Sequence, residues 1–431
     1  MLKDRVVLHG FRDKKYIEKM NILIVNQPGF NRGDESAHKG LIRTLLQRIP
    51  DIDIRVMSSS YLQESVRQFA VHDKRVDYIV DPVGFYHLND YLWHGIDIAR
   101  YGLLKLRPSI SKYKADYEWA DLVLCAPGGI CMGGFQDWNH LMHLKMAQAF
   151  KKPLAYYGRS FGPFPTETES NRKFKEVSME MLNYFSFLSI RDHKTEVLAD
   201  ELGISYISSI DSAFLDSPKV EIPYELKYVI GNKPYMVFVP NYLLWHYAYK
   251  GRISYETVIN FYCKVMDEIW AANPELNILM LPQLFCGREY ALNDVELFRD
   301  LAKAKNDSRI IITADCYSSD IQQTLISKAK YVIGARYHSI VFALNQGVPC
   351  IALSYEHKMA GLLETLGKTE WCIEFSKTLD SEENQEKCLE QIRKLIPSLK
   401  PDPVAQKKAK LIAQKGMDKF VEFVQKTLAT K

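Results

Sequence analysis

The segment Tyr331–Lys358, YVIGARYHSIVFALNQGVPCIALSYEHK, contains two strand-to-helix turns in succession. A short apolar strand, Tyr331–Ile333, is followed by a helix over Ser339–Asn345. A second strand, Cys350–Leu353, leads to a helix that begins near Tyr355. This alternation predicts a parallel α/β sheet, and ligands bind such sheets at the carboxyl edge of the strands.

Three cationic or protonatable side chains follow these two strands: Arg336, His338 and Lys358. Arginine binds phosphate or carboxylate through two parallel hydrogen bonds, and a lysine ammonium supplies a point charge. Histidine can donate a proton near neutral pH, and a helix N-terminus attracts anions. The segment therefore predicts a site for a small, highly charged anion that receives a proton. Each residue also has a structural alternative: packing at the helix start for His338, an ion pair for Arg336, and a solvated helix face for Lys358.

The rest of the chain repeats the same alternation of strands and helices. The first half begins with a strand at Asn21–Asn26 and a helix at Ser36–Arg48, and a second series begins at Met236–Val239. We therefore predict an α/β fold with two Rossmann-like domains that face each other across a cleft, the GT-B-like arrangement. The predicted domains are 1–216 and 234–399, followed by an amphipathic helix over 400–431 that packs back across both.

An aromatic segment interrupts the first half at Gly84–Trp119, and it predicts an inserted helical element. Packing of this insertion on the core as a lid is one interpretation, because aromatic side chains usually bury themselves. The other interpretation is a platform that binds an acceptor substrate or a lipid carrier.

Composition narrows the classes of function. The chain has 431 residues, 47% of them hydrophobic, and a net charge of +4, which is too mild to indicate nucleic-acid binding. Eight cysteines without CxxC spacing predict reduced thiols and no metal site. The N-terminus does not resemble a signal peptide, and no apolar run is long enough to span a bilayer. These features predict a cytoplasmic protein; contact with the inner face of the membrane and homo-oligomer formation are left open.

Candidate site residues also follow strands of the first half. Asn31, Gly33, Asp34 and Glu35 lie at the first strand-to-helix turn, which lacks both the P-loop and the complete dinucleotide pattern. Asp34 at this turn can orient or deprotonate a sugar hydroxyl, or alternatively cap the following helix.

Two further turns contribute candidates. Gly128 and Gly129 allow a ligand to approach the backbone closely. Arg191 follows a strand and would face the anion site of the second half across the cleft. The alternative is that Arg191 pairs with Asp192, which would cap the next helix.

These motifs resemble a known family. The pattern G-x-R-x-H at Gly334–His338, the G-x-P at Gly347–Pro349 and the downstream Tyr355 and Lys358 are similar to those of polysaccharide pyruvyl transferases. The similarity extends over most of Asn21–Leu366 and includes the N-x-G-D-E turn and the Gly-Gly turn. It implies a GT-B-like fold, and an enzyme that transfers the pyruvyl group of phosphoenolpyruvate to a sugar as a ketal.

The resemblance also implies roles for individual residues. It implies His338 as the general acid, and Lys358 and Arg191 as phosphoenolpyruvate ligands; Arg336 is a further anion ligand and Asp34 a candidate base. The family often has a third glycine in the Gly-rich turn, whereas the turn here is Pro127-Gly128-Gly129, which leaves its role open. The scheme uses phosphoenolpyruvate as donor substrate and requires no cofactor and no metal.

The acceptor is expected to be a saccharide, and whether it is lipid-linked is left open. Two other functions remain as alternatives: a GT-B nucleotide-sugar glycosyltransferase, and a carbohydrate-binding protein without activity.

Overall fold

The computed structural model describes residues 19–28, 31–58, 70–81, 108–129, 131–134, 136–246, 249–285, 293–313 and 317–429. The first half of the chain alternates strands and helices. Its elements are β1 (Met20–Gln27), α1 (Arg32–Arg48), β2 (Ile52–Ser58), β3 (Val76–Val80), α2 (Pro108–Trp119), β4 (Leu122–Cys125), α3 (Trp138–Ala149), β5 (Leu154–Arg159), α4 (Glu169–Tyr184), β6 (Phe187–Ile190), α5 (His193–Glu201) and β7 (Ile207–Ser208).

The second half repeats the alternation after a short linking helix, α6 (Tyr224–Ile230). Its elements are β8 (Tyr235–Val239), α7 (Tyr255–Ala272), β9 (Asn277–Met280), α8 (Asp294–Lys305), β10 (Ile310–Ile312), α9 (Ser319–Ile326), β11 (Val332–Gly334), α10 (Tyr337–Gln346), β12 (Cys350–Ser354), α11 (His357–Leu366), β13 (Cys372–Glu374), α12 (Glu382–Leu395) and α13 (Pro403–Ala429).

The strands form two parallel sheets, one in each half of the chain. The first sheet has the order β3-β2-β1-β4-β5-β6-β7, and the second has the order β10-β9-β8-β11-β12-β13. The strand order reverses between β1 and β4 in one sheet and between β8 and β11 in the other, which is the doubly wound Rossmann arrangement. These two sheets confirm the predicted pair of Rossmann-like halves.

The strands are apolar because helices cover both faces of each sheet. Every residue of β5 and of β8 is buried, for example. The prediction of α1 was wrong at its start, because the helix begins at Arg32 and not at Ser36. Asn31 is its N-cap, and the Asn31 side chain accepts a hydrogen bond from the backbone N–H of Gly33 at 2.8 Å. The cap is therefore Asn31, and the alternative interpretation of Asp34 as the cap was wrong.

Helix α13 packs back across both halves, as predicted. Ala409 and Ala413 belong to the core of the second half, whereas Met417, Phe420 and Val424 belong to the core around β1 and β2. Small residues at the start of the helix allow close approach, and the larger ones near its end fill the space beside the first sheet. This one helix therefore contributes to both hydrophobic cores.

Helix α1 connects the two halves through polar contacts. The backbone N–H of Arg32 donates to the carbonyl of Gln283 at 2.8 Å, and Lys39 Nζ lies 3.2 Å from a carboxylate oxygen of Asp320. Arg43, one turn later, also binds Asp320. The first strand-to-helix turn is thereby held against the second sheet.

The predicted aromatic insertion is described only in part, because residues 84–107 lie outside the described ranges. The final part forms α2, whose Tyr113 and Tyr117 are fully buried. The Tyr117 ring stacks on Phe150, with 5.5 Å between ring centroids. This part of the segment is helical and packs on the core. Among the helices that the structure describes, none combines the length and apolar character needed to cross a bilayer.

Candidate active site

A cavity of about 210 Å³ lies between the carboxyl edges of the two sheets. Its lining residues come from turns that follow strands of both halves. They are Asn31, Asp34, Gly129, Arg191, Trp245, Gln283, Leu284, Arg336, Tyr337, His338, Tyr355 and Lys358. The turns after β1 and β4 meet the turns after β8 and β11, so the strand-order reversals of both sheets face the same space.

The structure brings seven of the predicted site residues together at this cavity. These seven are Asn31, Asp34, Gly129, Arg191, Arg336, His338 and Lys358. Gly33, Glu35 and Gly128 lie beside the cavity and not in its lining.

Arg191 is buried to 1% exposure, and its charge is balanced within the first half. Its Nη1 lies 2.5 Å from Asp211 Oδ2, and its Nε donates to Ser160 Oγ at 3.1 Å. Among the described residues none forms a hydrogen bond or ion pair with its second terminal nitrogen, and the guanidinium lies over the Tyr337 ring, 4.5 Å from the ring centroid. Asp192 instead caps α5, so the capping part of the alternative interpretation was correct and the proposed Arg191–Asp192 pair was not. Arg191 therefore retains donor capacity at the cavity.

Arg336 follows β11 and is also paired. Its Nη2 donates to Asp294, whose other oxygen accepts the backbone N–H groups of Gln283 and Leu284 at 2.9 and 3.0 Å. Burial opposes the charge of Arg336, but the Asp294 carboxylate outweighs it, so the pKa of Arg336 is raised. The buried Nε has no hydrogen-bond partner, which leaves a directed donor for a ligand.

Lys358 lies in the first turn of α11, beside a buried carboxylate. Its Nζ is 2.9 Å from Glu356 Oε2, and the other oxygen of Glu356 is 3.4 Å from His246 Nε2. Burial would raise the pKa of Glu356, but the nearby charges of Lys358 and His246 lower it. An ammonium has three donors, so one ion pair leaves Lys358 able to bind an anion.

His338 lies in the first turn of α10 and is 6% exposed. Its Nε2 is 3.4 Å from Asp211 Oδ2, in the other half of the chain. Its Nδ1 lies against Gly33, where an added Cβ would come within 1.8 Å of that nitrogen. The absence of a side chain at Gly33 therefore makes room for the ring.

Asp34 faces the same cavity from α1 and is 8% exposed. In the described part of the chain, no hydrogen bond or ion pair holds its carboxylate. A Cβ added at Gly128 would lie 3.1 Å from Asp34 Oδ1, so the glycine backbone passes close to this carboxylate. Asp34 is thus a carboxylate available to a substrate hydroxyl.

The Gly128-Gly129 turn is held by Arg159, a fully buried side chain at the end of β5. Arg159 donates to the carbonyls of Ala126 and Gly129, the latter at 3.0 Å. Gly129 has open space where a Cβ would be, and it lines the cavity. Arg159 thus fixes the turn from behind while the glycine backbone faces the cavity.

Glu35 binds protein groups from both halves. Its carboxylate lies 2.5 Å from Arg32 Nη1 and 2.7 Å from Lys39 Nζ, and it accepts the backbone N–H and the hydroxyl of Ser319 at 3.0 Å. Through these contacts the Glu35 carboxylate attaches α1 to α9.

Several lining residues were missed from the sequence. Trp245, Gln283 and Leu284 follow strands without a charged or glycine motif to mark them, and Tyr337 occupies an unassigned position within the G-x-R-x-H motif. Asp211, which contacts Arg191 and His338, could have been predicted as a site residue, because it is an acidic residue shortly after a strand end. Within the described ranges, no three His, Cys, Asp or Glu side chains are arranged to hold a metal ion.

The site therefore combines three cations with unused donors, one histidine and one unpaired carboxylate around a small cavity. Such a set suits an anionic substrate, a proton donor and a hydroxyl nucleophile.

Comparisons with known proteins agree with this arrangement. The chain is 22% identical over 385 residues to the amylovoran biosynthesis protein AmsJ of Erwinia amylovora, covering 84% of this chain and 89% of that protein. Its fold resembles the UDP-GlcNAc 2-epimerase of Neisseria meningitidis bound to UDP-GlcNAc, with a TM-score of 0.55, 12% identity, and coverage of 94% of this chain and 100% of that one. It also resembles a UDP-glucose: anthocyanidin 3-O-glucosyltransferase in complex with UDP, with a TM-score of 0.51, 10% identity, and coverage of 95% and 100%. These likenesses show a GT-B-like fold.

The family is identified by a separate match. The family model described as polysaccharide pyruvyl transferase matches residues 31–357, which include every lining residue of the cavity except Lys358. The chain therefore belongs to the polysaccharide pyruvyl transferase family.

Proposed function

We propose that this protein transfers the pyruvyl group of phosphoenolpyruvate to two hydroxyls of a sugar, forming a ketal and releasing phosphate. The acceptor is a cell-surface polysaccharide or its precursor. The observation that carries the proposal is the convergence of Arg191, Arg336 and Lys358 on one small cavity beside His338. Phosphoenolpyruvate carries a carboxylate and a phosphate on one compact frame, which matches several separate cations.

The two arginines and the lysine approach the donor from both halves of the protein. The unpaired Nε of Arg336 and the unused nitrogen of Arg191 offer directed N–H groups, and the first turn of α10 adds backbone N–H groups. Lys358 adds a point charge. Together these groups bind the donor and stabilise the negative charge of the departing phosphate.

His338 supplies the proton that begins the reaction. Protonation of the methylene carbon makes C2 of the donor electrophilic, and a sugar hydroxyl attacks there. The bond from C2 to the phosphate oxygen then breaks, and a second hydroxyl of the acceptor closes the ketal. Of the two hydroxyl protons, one replaces the proton that became part of the methyl group and the other leaves with phosphate.

Asp34 is assigned to the acceptor. Its carboxylate has no protein partner in the described residues, so it can accept a proton from a hydroxyl that enters the cavity. We place the reaction in the cytoplasm, where phosphoenolpyruvate is available.

A direct assay tests the proposal. Purified protein is incubated with phosphoenolpyruvate and a panel of glycosides, and phosphate release and ketal formation are followed together. Calorimetric titration with phosphoenolpyruvate measures binding without an acceptor. A parallel panel of nucleotide sugars tests glycosyl transfer: nucleotide release without any use of phosphoenolpyruvate would overturn the proposal in favour of a glycosyltransferase.

A further inference from the structure

One carboxylate, Asp211, contacts groups of both halves at the cavity. It follows β7 in the first half and is fully buried. Its Oδ2 lies 2.5 Å from Arg191 Nη1 and 3.4 Å from His338 Nε2, and its Oδ1 accepts the backbone N–H of Ala213 at 2.9 Å. Both oxygens are thus fixed before any ligand binds.

Asp211 remains ionised in this position. Burial alone would raise its pKa, but the nearby charges of Arg191 and His338 lower the pKa to about 2. A buried carboxylate without such partners would be costly. The carboxylate is therefore a permanent negative charge next to the ring of His338.

We propose that Asp211 is the positioning residue of the general acid, and that it holds the Nε2–H of His338 so that Nδ1 delivers the proton to the donor. This role rests on the function proposed above. In the structure Nε2 is buried and forms no hydrogen bond with a described residue, and Asp211 Oδ2 is the carboxylate oxygen 3.4 Å from it. Such long contacts often shorten when a substrate binds. Nδ1 is the nitrogen next to Gly33, where the missing Cβ leaves room for the ring, and His338 lines the cavity.

The surrounding charges show why a carboxylate is needed there. Arg191, Arg336 and Lys358 approach the cavity from three different turns, and the positive charge of each disfavours protonation of the His338 ring. Asp34 and Asp211 oppose them. Asp211 Oδ2 lies within 4 Å of both His338 Nε2 and Arg191 Nη1, so this one oxygen compensates both cations.

The placement of the pair also links the chemistry to the arrangement of the two halves. Asp211 belongs to the first half and His338 to the second. The acid is therefore oriented only when the two halves lie as they do here.

The first test uses the wild-type protein without donor. Nitrogen NMR of protein labelled at histidine gives the protonation of each ring nitrogen, and the His338→Gln variant assigns the signals of His338. The neutral ring is expected to carry its proton on Nε2 and to leave Nδ1 bare. A proton on Nδ1 in the neutral ring would overturn the positioning role. This measurement needs no variant at Asp211, so it decides the matter even if such a variant does not fold.

The second test compares Asp211→Asn with Asp200→Asn, an exposed aspartate on α5 as matched control. Asp211→Asn is expected to lower kcat about 10–100-fold, more than it changes KM for phosphoenolpyruvate. The alkaline limb of the kcat profile is expected to move to lower pH by about one unit, and Asp211→Glu to restore part of the shift. An unchanged profile in a folded Asp211→Asn variant would show a merely structural role.

Calorimetric titration of the wild-type protein separates this inference from the proposed function. Absence of phosphoenolpyruvate binding would overturn the proposed function. Donor binding together with a ring protonated on Nδ1 would instead overturn only the role of Asp211.

Discussion

The backbone of Gly33 and the ring of His338 occupy adjoining space, although they belong to different halves of the chain. A methyl group on Gly33 would lie within 1.8 Å of Nδ1, so Gly33→Ala must displace the ring or the turn. A shift of about 1 Å in a reacting group costs on the order of 10²-fold in rate. We expect that loss in kcat, measured by phosphate release.

Gly134→Ala is the matched control for this prediction, because open space surrounds a Cβ at that position. It should leave kcat unchanged. A Gly33→Ala variant with normal kcat would contradict the close packing of the two residues.

His338→Gln tests the proton donor directly. Glutamine retains hydrogen-bonding groups but cannot deliver the proton, and a positioned acid contributes about 10²–10⁴ in rate. The variant should bind phosphoenolpyruvate in a calorimetric titration and lose turnover by that factor. In heavy water the wild-type product should carry solvent deuterium in its ketal methyl group. Near-normal turnover of the variant would assign the acid to another residue.

For individual residues, the sequence indicates which side chains reach the cavity better than it indicates their ion-pair partners. Arg336, His338 and Lys358 were predictable because the carboxyl ends of parallel strands lie at one edge. The pairing of Arg191 with Asp211 was not predicted, because Asp211 follows β7, a strand of only two residues that gives no apolar run in the sequence. Replacing Arg191 by alanine would leave the buried Asp211 carboxylate without its arginine partner, which destabilises the fold as well as weakening donor binding.

Helix α1 contains a buried histidine, His38, whose lowered pKa makes the stability of the protein depend on pH. His38 is fully buried, and its Nε2 lies 2.9 Å from the hydroxyl of Tyr78 on β3. Burial lowers the pKa of His38 to about 3, and the charge of Lys39 adds to the effect. The folded protein therefore keeps this ring neutral where the unfolded chain takes up a proton. The free energy of unfolding should fall as the pH drops from about 6.5 towards 3.

Urea unfolding at a series of pH values between 7 and 4 measures this effect. His38→Gln keeps a polar group opposite Tyr78 but does not titrate, so its free energy of unfolding should depend less steeply on pH. Other buried histidines are present in both proteins and cancel in the comparison. Parallel curves for the two proteins would contradict the prediction.

The elements themselves were predictable where apolar periodicity is strong. Every strand of the segment Tyr331–Lys358 was found within one residue of its predicted position. Helix α12 was missed because only a narrow face is buried, formed by Gln385, Cys388, Leu389 and Ile392, and the remainder is charged. A helix with so few apolar positions gives a weak signal in the sequence.

For the whole molecule, α13 is the element that joins the two cores. Phe420 is fully buried, with its ring centroid 5.2 Å from that of Tyr157 and 5.0 Å from that of Phe187. Phe420→Ala should lower the free energy of unfolding by about 3–5 kcal/mol. Turnover per folded molecule should stay near normal, because the residue is remote from the cavity lining.

Lys419→Ala is the control, since this neighbouring side chain is 58% exposed and should change stability by less than about 0.5 kcal/mol. Chemical unfolding of both variants measures the difference. A Phe420→Ala variant of normal stability would show that the end of α13 does not hold the first half.

The two-domain architecture follows from the repeated strand–helix alternation, which each half needs in order to bury its own sheet. The relative position of the halves does not follow from it. That position depends on contacts such as Lys39 with Asp320 and Arg32 with Gln283, whose members lie more than 200 positions apart in the sequence.

The carboxylate beside each cavity cation has a thermodynamic consequence. Arg191, Arg336 and Lys358 each contact an acidic group, so a protein carboxylate already offsets each of these three charges. A donor with a carboxylate and a phosphate then adds negative charge to cations that are already paired, and binding should take up protons from the solvent. Calorimetric titrations in two buffers of different ionisation enthalpy measure this uptake, and equal apparent enthalpies would contradict it. By linkage, donor affinity should increase as the pH falls.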